Sequence, residues 1–294
     1  LPGLGVLYPW VHARHLSNAA WLNPPWFIAR AGFYFAVWIG IALTLRRWAR
    51  AGPGGGAGPA APPSPRERAL AAAALPPLGL TLTFAAFDWL MSLDPRWSST
   101  VFGVYWFAGG FLAALAVVTL AAVRAGTGRP SSTPSRVAWS PQAEPLPAAQ
   151  GYALGALMLT FAVFWAYIAY SQYFIIWIAD LPAEVAWYVP RVRGGWGVLA
   201  LVVLGGQLAL PLLVLLLYAA KRSARAMAVI AVWLLVVHYL DTYWLVLPAI
   251  HPDAPHPHWL DLSALAAVVG CAVTWIGWLG RHDPQTNRMR HAQG

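Results

Sequence analysis

The chain of 294 residues is 59% hydrophobic and only 10% charged, with a formal net charge of +9 and a mean hydropathy of +0.57. This composition excludes an ordinary soluble domain, whose surface needs many more charged residues. The positive charge lies mainly in the loops between apolar segments, so it reflects membrane topology and does not indicate nucleic-acid binding.

Seven segments are long and apolar enough to cross a membrane, since the hydrocarbon core needs about 20 mostly apolar residues per helix. In chain order they are 25–45, 69–93, 99–123, 150–179, 195–219, 226–250 and 259–279. Their Leu-, Ala- and Val-rich sequences lack the alternation that is typical of transmembrane strands. The sequence therefore predicts an all-α polytopic membrane protein with one transmembrane domain over residues 25–279.

The arginines and lysines predict how the chain is oriented. Fourteen of the 19 lie on one side of the predicted membrane, and they are Arg46, Arg47, Arg50, Arg66, Arg68, Arg124, Arg129, Arg136, Lys221, Arg222, Arg225, Arg281, Arg288 and Arg290. The other five are Arg14, Arg30, Arg96, Arg191 and Arg193. Because positive charge concentrates on the cytoplasmic side, residues 280–294 are predicted to be a cytoplasmic tail and residues 1–24 an outer-side loop.

The loops differ on the two predicted sides. The cytoplasmic loops 46–68 and 124–149 are rich in Gly, Pro and Ser, which is typical of flexible connectors. The outer loops are richer in aromatic residues, and Trp97, Trp187 and Trp259 are predicted to anchor helix ends at the membrane interface.

His238 and Asp241 are the most informative polar residues within the predicted spans. They are three residues apart, so they share a helix face, and they lie roughly 18 and 13 Å along the helix from Ile250. A histidine beside a carboxyl group can exchange protons or hydrogen-bond a quinol. The alternative is a pair that satisfies itself and stabilises helix packing.

Asp88 and Arg30 form a second candidate pair, at similar depth near the outer ends of the first two predicted helices. Asp88 lies about 7 Å from the end of its helix and could be part of a proton path. Because charged groups in membranes usually pair, a structural ion pair with Arg30 is the alternative.

Polar residues of the fourth and fifth spans could complete a hydrated path. Tyr167, Tyr170 and Ser171 follow the three-and-four spacing of one helix face, and Gln207 lies within the next span. The same residues could instead hydrogen-bond between helices, and the sequence leaves these two interpretations open.

The sequence gives no support for a metal, haem or iron–sulfur site. The loop His251–His258 is rich in histidine, but its prolines and spacing indicate a rigid turn and match no zinc motif. The single Cys271 cannot hold an iron–sulfur cluster or attach a haem by a paired-cysteine motif. A haem b between two facing histidines is disfavoured because His238 is the only histidine well inside a predicted helix.

Three segments resemble one known family. They are LYPWVHARHLSNAAWLNPPWFIARAGFYFAVW at 7–38, TLTFAAFDWLMSLDPRWSSTVFGVYWFAGG at 81–110 and FAVFWAYIAYSQYFIIWIADLP at 161–182. The chain resembles the ActF-type membrane subunit of bacterial alternative complex III over nearly its whole length, and this subunit is related to the NrfD/polysulfide-reductase membrane subunits. The resemblance implies a ten-helix parent built on four-helix bundles, with three further helices before residue 1.

The resemblance also implies a function in the bacterial inner membrane. The chain would be a subunit of a respiratory quinol:acceptor oxidoreductase without its own redox centre, scaffolding the complex and conducting protons, and not catalytic alone. Its partners would be a sister NrfD-like membrane subunit, iron–sulfur and haem c subunits, a terminal oxidase and lipids. The match around FDWLMSLDP assigns Asp88 to the proton path.

Two other functions remain open at this stage. The chain could be a quinol-binding and quinol-oxidising subunit of the NrfD type, with quinone or quinol as a noncovalent ligand. It could also be a secondary transporter, because Pro76, Pro77 and Pro211 could break spanning helices at a central substrate site.

Overall fold

A computed structural model of the protein describes residues 3–13, 18–51, 64–127 and 148–281. These residues form helices and connecting loops, and no strand occurs among them. Six of the helices are long and apolar enough to cross a membrane. The prediction of an all-α polytopic membrane protein is therefore confirmed. The tail 282–294 and most of the two Gly/Pro-rich loops lie outside the described residues.

Eight longer helices make up most of the described chain. They are α1 (Pro24–Ala51), α2 (Pro65–Trp89), α3 (Phe102–Thr127), α4 (Ala148–Ala179), α5 (Pro182–Arg191), α6 (Gly194–Leu216), α7 (Ala224–Val246) and α8 (Trp259–Arg281). Helix α6 widens into a π turn at Gly205–Ala209, directly before Pro211. Two short helices, Leu4–Leu7 and Tyr218–Arg222, lie in the connecting segments.

The seventh predicted span, 259–279, coincides with helix α8. Side chains are described as far as Thr274, and the apolar part of α8 over these residues, Trp259–Thr274, is shorter than the other six spans. The structure therefore supports six spanning helices, in α1, α2, α3, α4, α6 and α7.

Helix α5 differs from the sequence prediction, which placed residues 181–194 in an outer loop. Pro182 occupies the first turn of α5, where its missing N–H and fixed φ favour helix initiation. Trp187 and Arg191 are buried. Residues 182–191 are therefore a packed helix that contributes to the interior of the protein.

The described chain divides into two compact units, Leu1–Tyr34 with Gly79–Pro255 and Phe35–Leu78 with His256–Gly294. In the first unit α3 packs against α4 and α7, and α6 packs against both α4 and α7. These four helices form a bundle with an aromatic core at one end, named here the Trp187 end. Leucine, alanine and methionine fill the core at the other end, named the Lys221 end.

The second unit contains most of α1, the first part of α2, and α8. Many of its apolar side chains are exposed, among them Phe35, Ile39, Leu262 and Val268. Helix α2 continues through Pro76 and Pro77 as one helix from Pro65 to Trp89. The proline pair therefore does not interrupt this span.

The N-terminal segment is part of the first unit, and over its described residues it is packed and is not an open loop. Tyr8, Trp10 and Leu22 are buried in a cluster with Phe27 and Leu93. The Tyr8 hydroxyl donates to the backbone oxygen of Trp89 at 3.1 Å. Burial, with a smaller contribution from the charge of Asp88, raises the pKa of Tyr8 to about 12, so this hydroxyl stays protonated at physiological pH.

Tryptophans that the sequence predicted to be interfacial anchors differ in environment. Trp97 and Trp187 are buried, and their rings stack with centroids 4.3 Å apart. Trp259, in contrast, is 69% exposed. The first two tryptophans therefore belong to the core at the Trp187 end, where they help to shape the cavity described below.

Candidate functional site

Asp241 of α7 is a carboxyl group enclosed by the bundle and is only 1% exposed. Its hydrogen-bond partner is the Tyr105 hydroxyl of α3, which is also buried. No Arg, Lys or His side chain among the described residues forms an ion pair with it. A carboxyl group in hydrocarbon without a cation is costly to ionise, and such groups usually have a function.

His238 lies one turn from Asp241, but the two side chains are not joined. Asp241 contacts Tyr105, whereas the His238 ring packs against Trp106, with centroids 5.8 Å apart. The Nδ1 atom of His238 is buried and has no hydrogen-bond partner in the described part of the chain. The predicted His–Asp pair is therefore not formed, because the two side chains meet different residues of α3.

Gly109 allows α3 to approach this region closely. A Cβ atom at this position would lie 3.4 Å from His238 Nδ1 and 3.4 Å from Trp165 Cδ1. The indole Nε1 of Trp165 is also buried, and it lies near Asp241 and Tyr105 without forming a hydrogen bond of ordinary geometry to any described residue. Since the Trp165 and Tyr105 rings are 5.6 Å apart, one continuous group of side chains connects Asp241 with His238.

Gln207 adds a further polar group within the bundle, at the π turn of α6. It is fully buried, and neither its amide nitrogen nor its amide oxygen has a hydrogen-bond partner among the residues that the structure describes. The neighbouring Gly206 contacts α7 at two residues. Its backbone oxygen accepts from the Trp233 indole, and a Cβ at this position would clash with Val237. Gln207 therefore lies at about the depth of His238.

A cavity of about 320 Å³ opens beside Tyr105 at the Trp187 end. Half of its lining residues are aromatic, and the lining comes from α3 to α7; it includes Phe102, Tyr105, Trp165, Tyr173, Trp187 and Tyr188. Gln172 of α4 also lines it, with a buried side-chain oxygen that has no hydrogen-bond partner. An apolar cavity with few unpaired polar groups is typical of a site for a small, largely apolar molecule.

Arg191 fastens α5 beside this cavity. The guanidinium lies 3.7 Å from the centre of the Trp187 ring and donates to the backbone oxygens of Trp187 and Leu245 at 2.7 and 2.8 Å. Burial lowers the pKa of Arg191 to about 9, although the negative charge of Asp94 raises it in part. Arg191 thus links Trp187 of α5 to Leu245 at the end of α7, and both of these residues line the cavity.

Asp88 has a different environment from Asp241. Its two oxygens accept from Arg30 Nε and Nη2 at 2.8 Å each, from Trp21 Nε1 at 2.8 Å and from Tyr34 at 2.7 Å. The carboxylate is fully buried. Because four donors saturate it, the geometry favours the structural ion pair over a proton-carrying role for Asp88.

The predicted polar face of α4 does not line the bundle interior. Tyr167 and Tyr170 are 64% and 61% exposed, and Ser171 is half-buried. Tyr170 borders the cavity, while Trp165 and Gln172 occupy the buried face. Tyr167 therefore lies on the side of α4 that faces away from the core of this bundle, and its role in a hydrated path stays a prediction.

The histidine-rich turn gives no metal site in the described part of the chain, where no group of three or more His, Cys, Asp or Glu side chains is placed to hold a metal ion. Comparison of the sequence with protein-family models and with curated proteins gives no match.

Proposed function

We propose that this chain is an integral-membrane subunit of a respiratory quinol:acceptor oxidoreductase of the alternative complex III type, and that its four-helix bundle conducts protons through Asp241. The assignment to this complex rests on the resemblance of the three sequence segments. Proton conduction is supported chiefly by the burial of Asp241 against Tyr105 without a cation. An ionisable group held in this way inside a membrane is commonly a proton carrier.

The path runs from Asp241 towards the Trp187 end. The Tyr105 hydroxyl can both donate and accept, so it can pass a proton between Asp241 and the cavity it lines. On the other side of Asp241 lie His238 and Gln207, with buried nitrogen and oxygen atoms that have no partner within the described chain. These atoms can bind ordered water, which would extend the path.

The core at the Lys221 end limits how far this chain conducts by itself. Its hydrophobic residues include Leu112, Met158, Leu215, Met227 and Leu234, and the buried polar side chains beside them are Thr119 and Lys221. Such a core offers few groups for proton transfer, so the bundle supplies a half-path that begins near Asp241 and leads to the Trp187 end.

Replacing Tyr105 by phenylalanine is expected to slow proton release by the reconstituted complex about tenfold, because it removes the hydrogen-bond partner of Asp241 but preserves the ring. The measurement is proton release during quinol oxidation in liposomes. Tyr167→Phe is the matched control, since its hydroxyl lies on the exposed face of the neighbouring helix. Equal loss in both variants would place the path on that outer face.

A quinol-binding function is a second candidate, and the aromatic cavity favours it. Its volume of about 320 Å³ suits a single ring stacked among aromatic side chains. The Gln172 oxygen could accept from a quinol hydroxyl, and the Trp165 indole could donate to a quinone oxygen. Electrons from the quinol would then pass to a redox centre of a partner subunit.

Filling this cavity with an Ala169→Trp substitution is expected to weaken quinone binding at least about tenfold, because the new indole occupies the space of the ring. Titration of the purified complex with decylubiquinone measures the affinity. Val163→Trp places the same indole at an exposed position of α4 and should leave the affinity unchanged. Unaltered affinity in both variants means that quinone binds elsewhere, and proton conduction is then the remaining role of the bundle.

A further inference from the structure

A groove of about 480 Å³ lies between α6 and α7 at the Lys221 end, outside the site described above. Its walls are apolar side chains of Leu210, Val214, Val229, Ile230 and Trp233. Ser223 and Arg225 are the polar residues that line it, and both belong to the start of α7. The groove thus combines a long apolar surface with a polar mouth that carries one cation.

Arg225 is a cation without a protein partner. It is exposed, makes no hydrogen bond, and pairs with no carboxylate within the described ranges. The two neighbouring cations are engaged by aromatic rings, since Lys221 Nζ lies 4.5 Å from the Tyr152 ring and the Arg222 guanidinium 5.5 Å from the Tyr218 ring. In the sequence, no acidic residue occurs between Glu184 and Asp241. The mouth of the groove is therefore complementary to an anion.

The length of the groove matches one leaflet of a bilayer. From Arg225 to Trp233 the helix rises about 12 Å, which is less than half of the roughly 30 Å hydrocarbon core. The arginine distribution also predicts that this end is cytoplasmic, where anionic lipids attract basic residues.

We propose that this groove binds one anionic phospholipid, with its phosphate at Arg225 and Ser223 and one acyl chain along Val214, Val229 and Trp233. The lipid phosphate would supply the hydrogen-bond acceptors that Arg225 lacks. The acyl chain would cover side chains that are otherwise exposed, such as Val229. Binding between two helices would also hold α6 against α7 at the end where α6 stops at Leu216.

Native mass spectrometry of the purified complex, exchanged into dioleoylphosphatidylglycerol or dioleoylphosphatidylcholine, tests this proposal. The wild type is expected to retain one more phosphatidylglycerol than Val229→Trp, whose indole fills the groove. Arg225→Gln should weaken retention of this lipid about fivefold. Arg193→Gln and Leu213→Trp are matched controls for charge and bulk, because both residues are exposed and neither lines the groove.

Three results would overturn the proposal. One is unchanged phosphatidylglycerol retention in both groove variants. Another is equal retention of phosphatidylcholine, which would show that the cation does not select the ligand. The third is direct evidence of another occupant: release of the bound species by inorganic phosphate alone would identify a free anion, and cross-linking of a photoreactive residue at 229 to another polypeptide would identify a partner protein.

Discussion

Replacing Asp88 by asparagine is expected to lower the free energy of unfolding by about 3–5 kcal/mol, because it leaves the Arg30 guanidinium without its counter-charge in a largely buried site. The carboxylate also accepts from Trp21 and Tyr34, so one substitution weakens contacts of the N-terminal segment, α1 and α2 together. Denaturant unfolding of the purified protein in detergent, followed by circular dichroism, measures the effect.

Asp94→Asn is the matched control for this prediction. Asp94 lies 3.9 Å from Arg96, and the Arg96 side chain is 92% exposed. Loss of this surface pair is expected to cost less than about 1 kcal/mol, and Asp94 also attracts Arg191 without forming an ion pair with it, so the total loss should stay well below that of Asp88→Asn. If Asp88→Asn unfolds like the wild type but stops proton release, Asp88 carries protons as the family resemblance implies, and the structural interpretation of its ion pair is wrong.

Most of the helical architecture could be predicted from the sequence, because a bilayer requires spanning segments that are long, apolar and internally hydrogen-bonded. Helix α5 could not, since it has only ten residues and lies in a segment with the composition of a loop. Arg191 was consequently counted among the outer-loop charges, although its side chain is buried against Trp187.

The rotation of each spanning helix was much harder to predict. In a membrane the lipid-facing side of a helix is as apolar as the core side, so α4 carries almost no amphipathic signal. The sequence therefore does not show whether Tyr167 or Trp165 faces the core. In the structure only Trp165 is buried. The three-and-four spacing placed Tyr167, Tyr170 and Ser171 on one face of the helix. It could not show whether that face points towards the core or away from it.

For the candidate site, the sequence indicated which polar residues lie within the membrane but not which residues they contact. Asp241, His238 and Gln207 were identified because polar residues within apolar spans are rare. The partner of Asp241, Tyr105, is 136 residues away in the sequence and looks like any aromatic residue near a helix end. The cavity also depends on how α3 to α7 pack together, which no local sequence pattern specifies.

The most direct test of proton conduction through Asp241 is the Asp241→Asn variant of the purified complex in liposomes, with quinol oxidation and proton release recorded together. Asparagine keeps the shape of the side chain but cannot carry a proton, so proton release is expected to fall about 100-fold or more while the complex remains assembled. Asp241→Glu, which retains a carboxyl group, should preserve a large part of the release. Unchanged quinol oxidation and unchanged proton release in an intact Asp241→Asn complex would contradict the proposal and leave Asp241 as a packing residue.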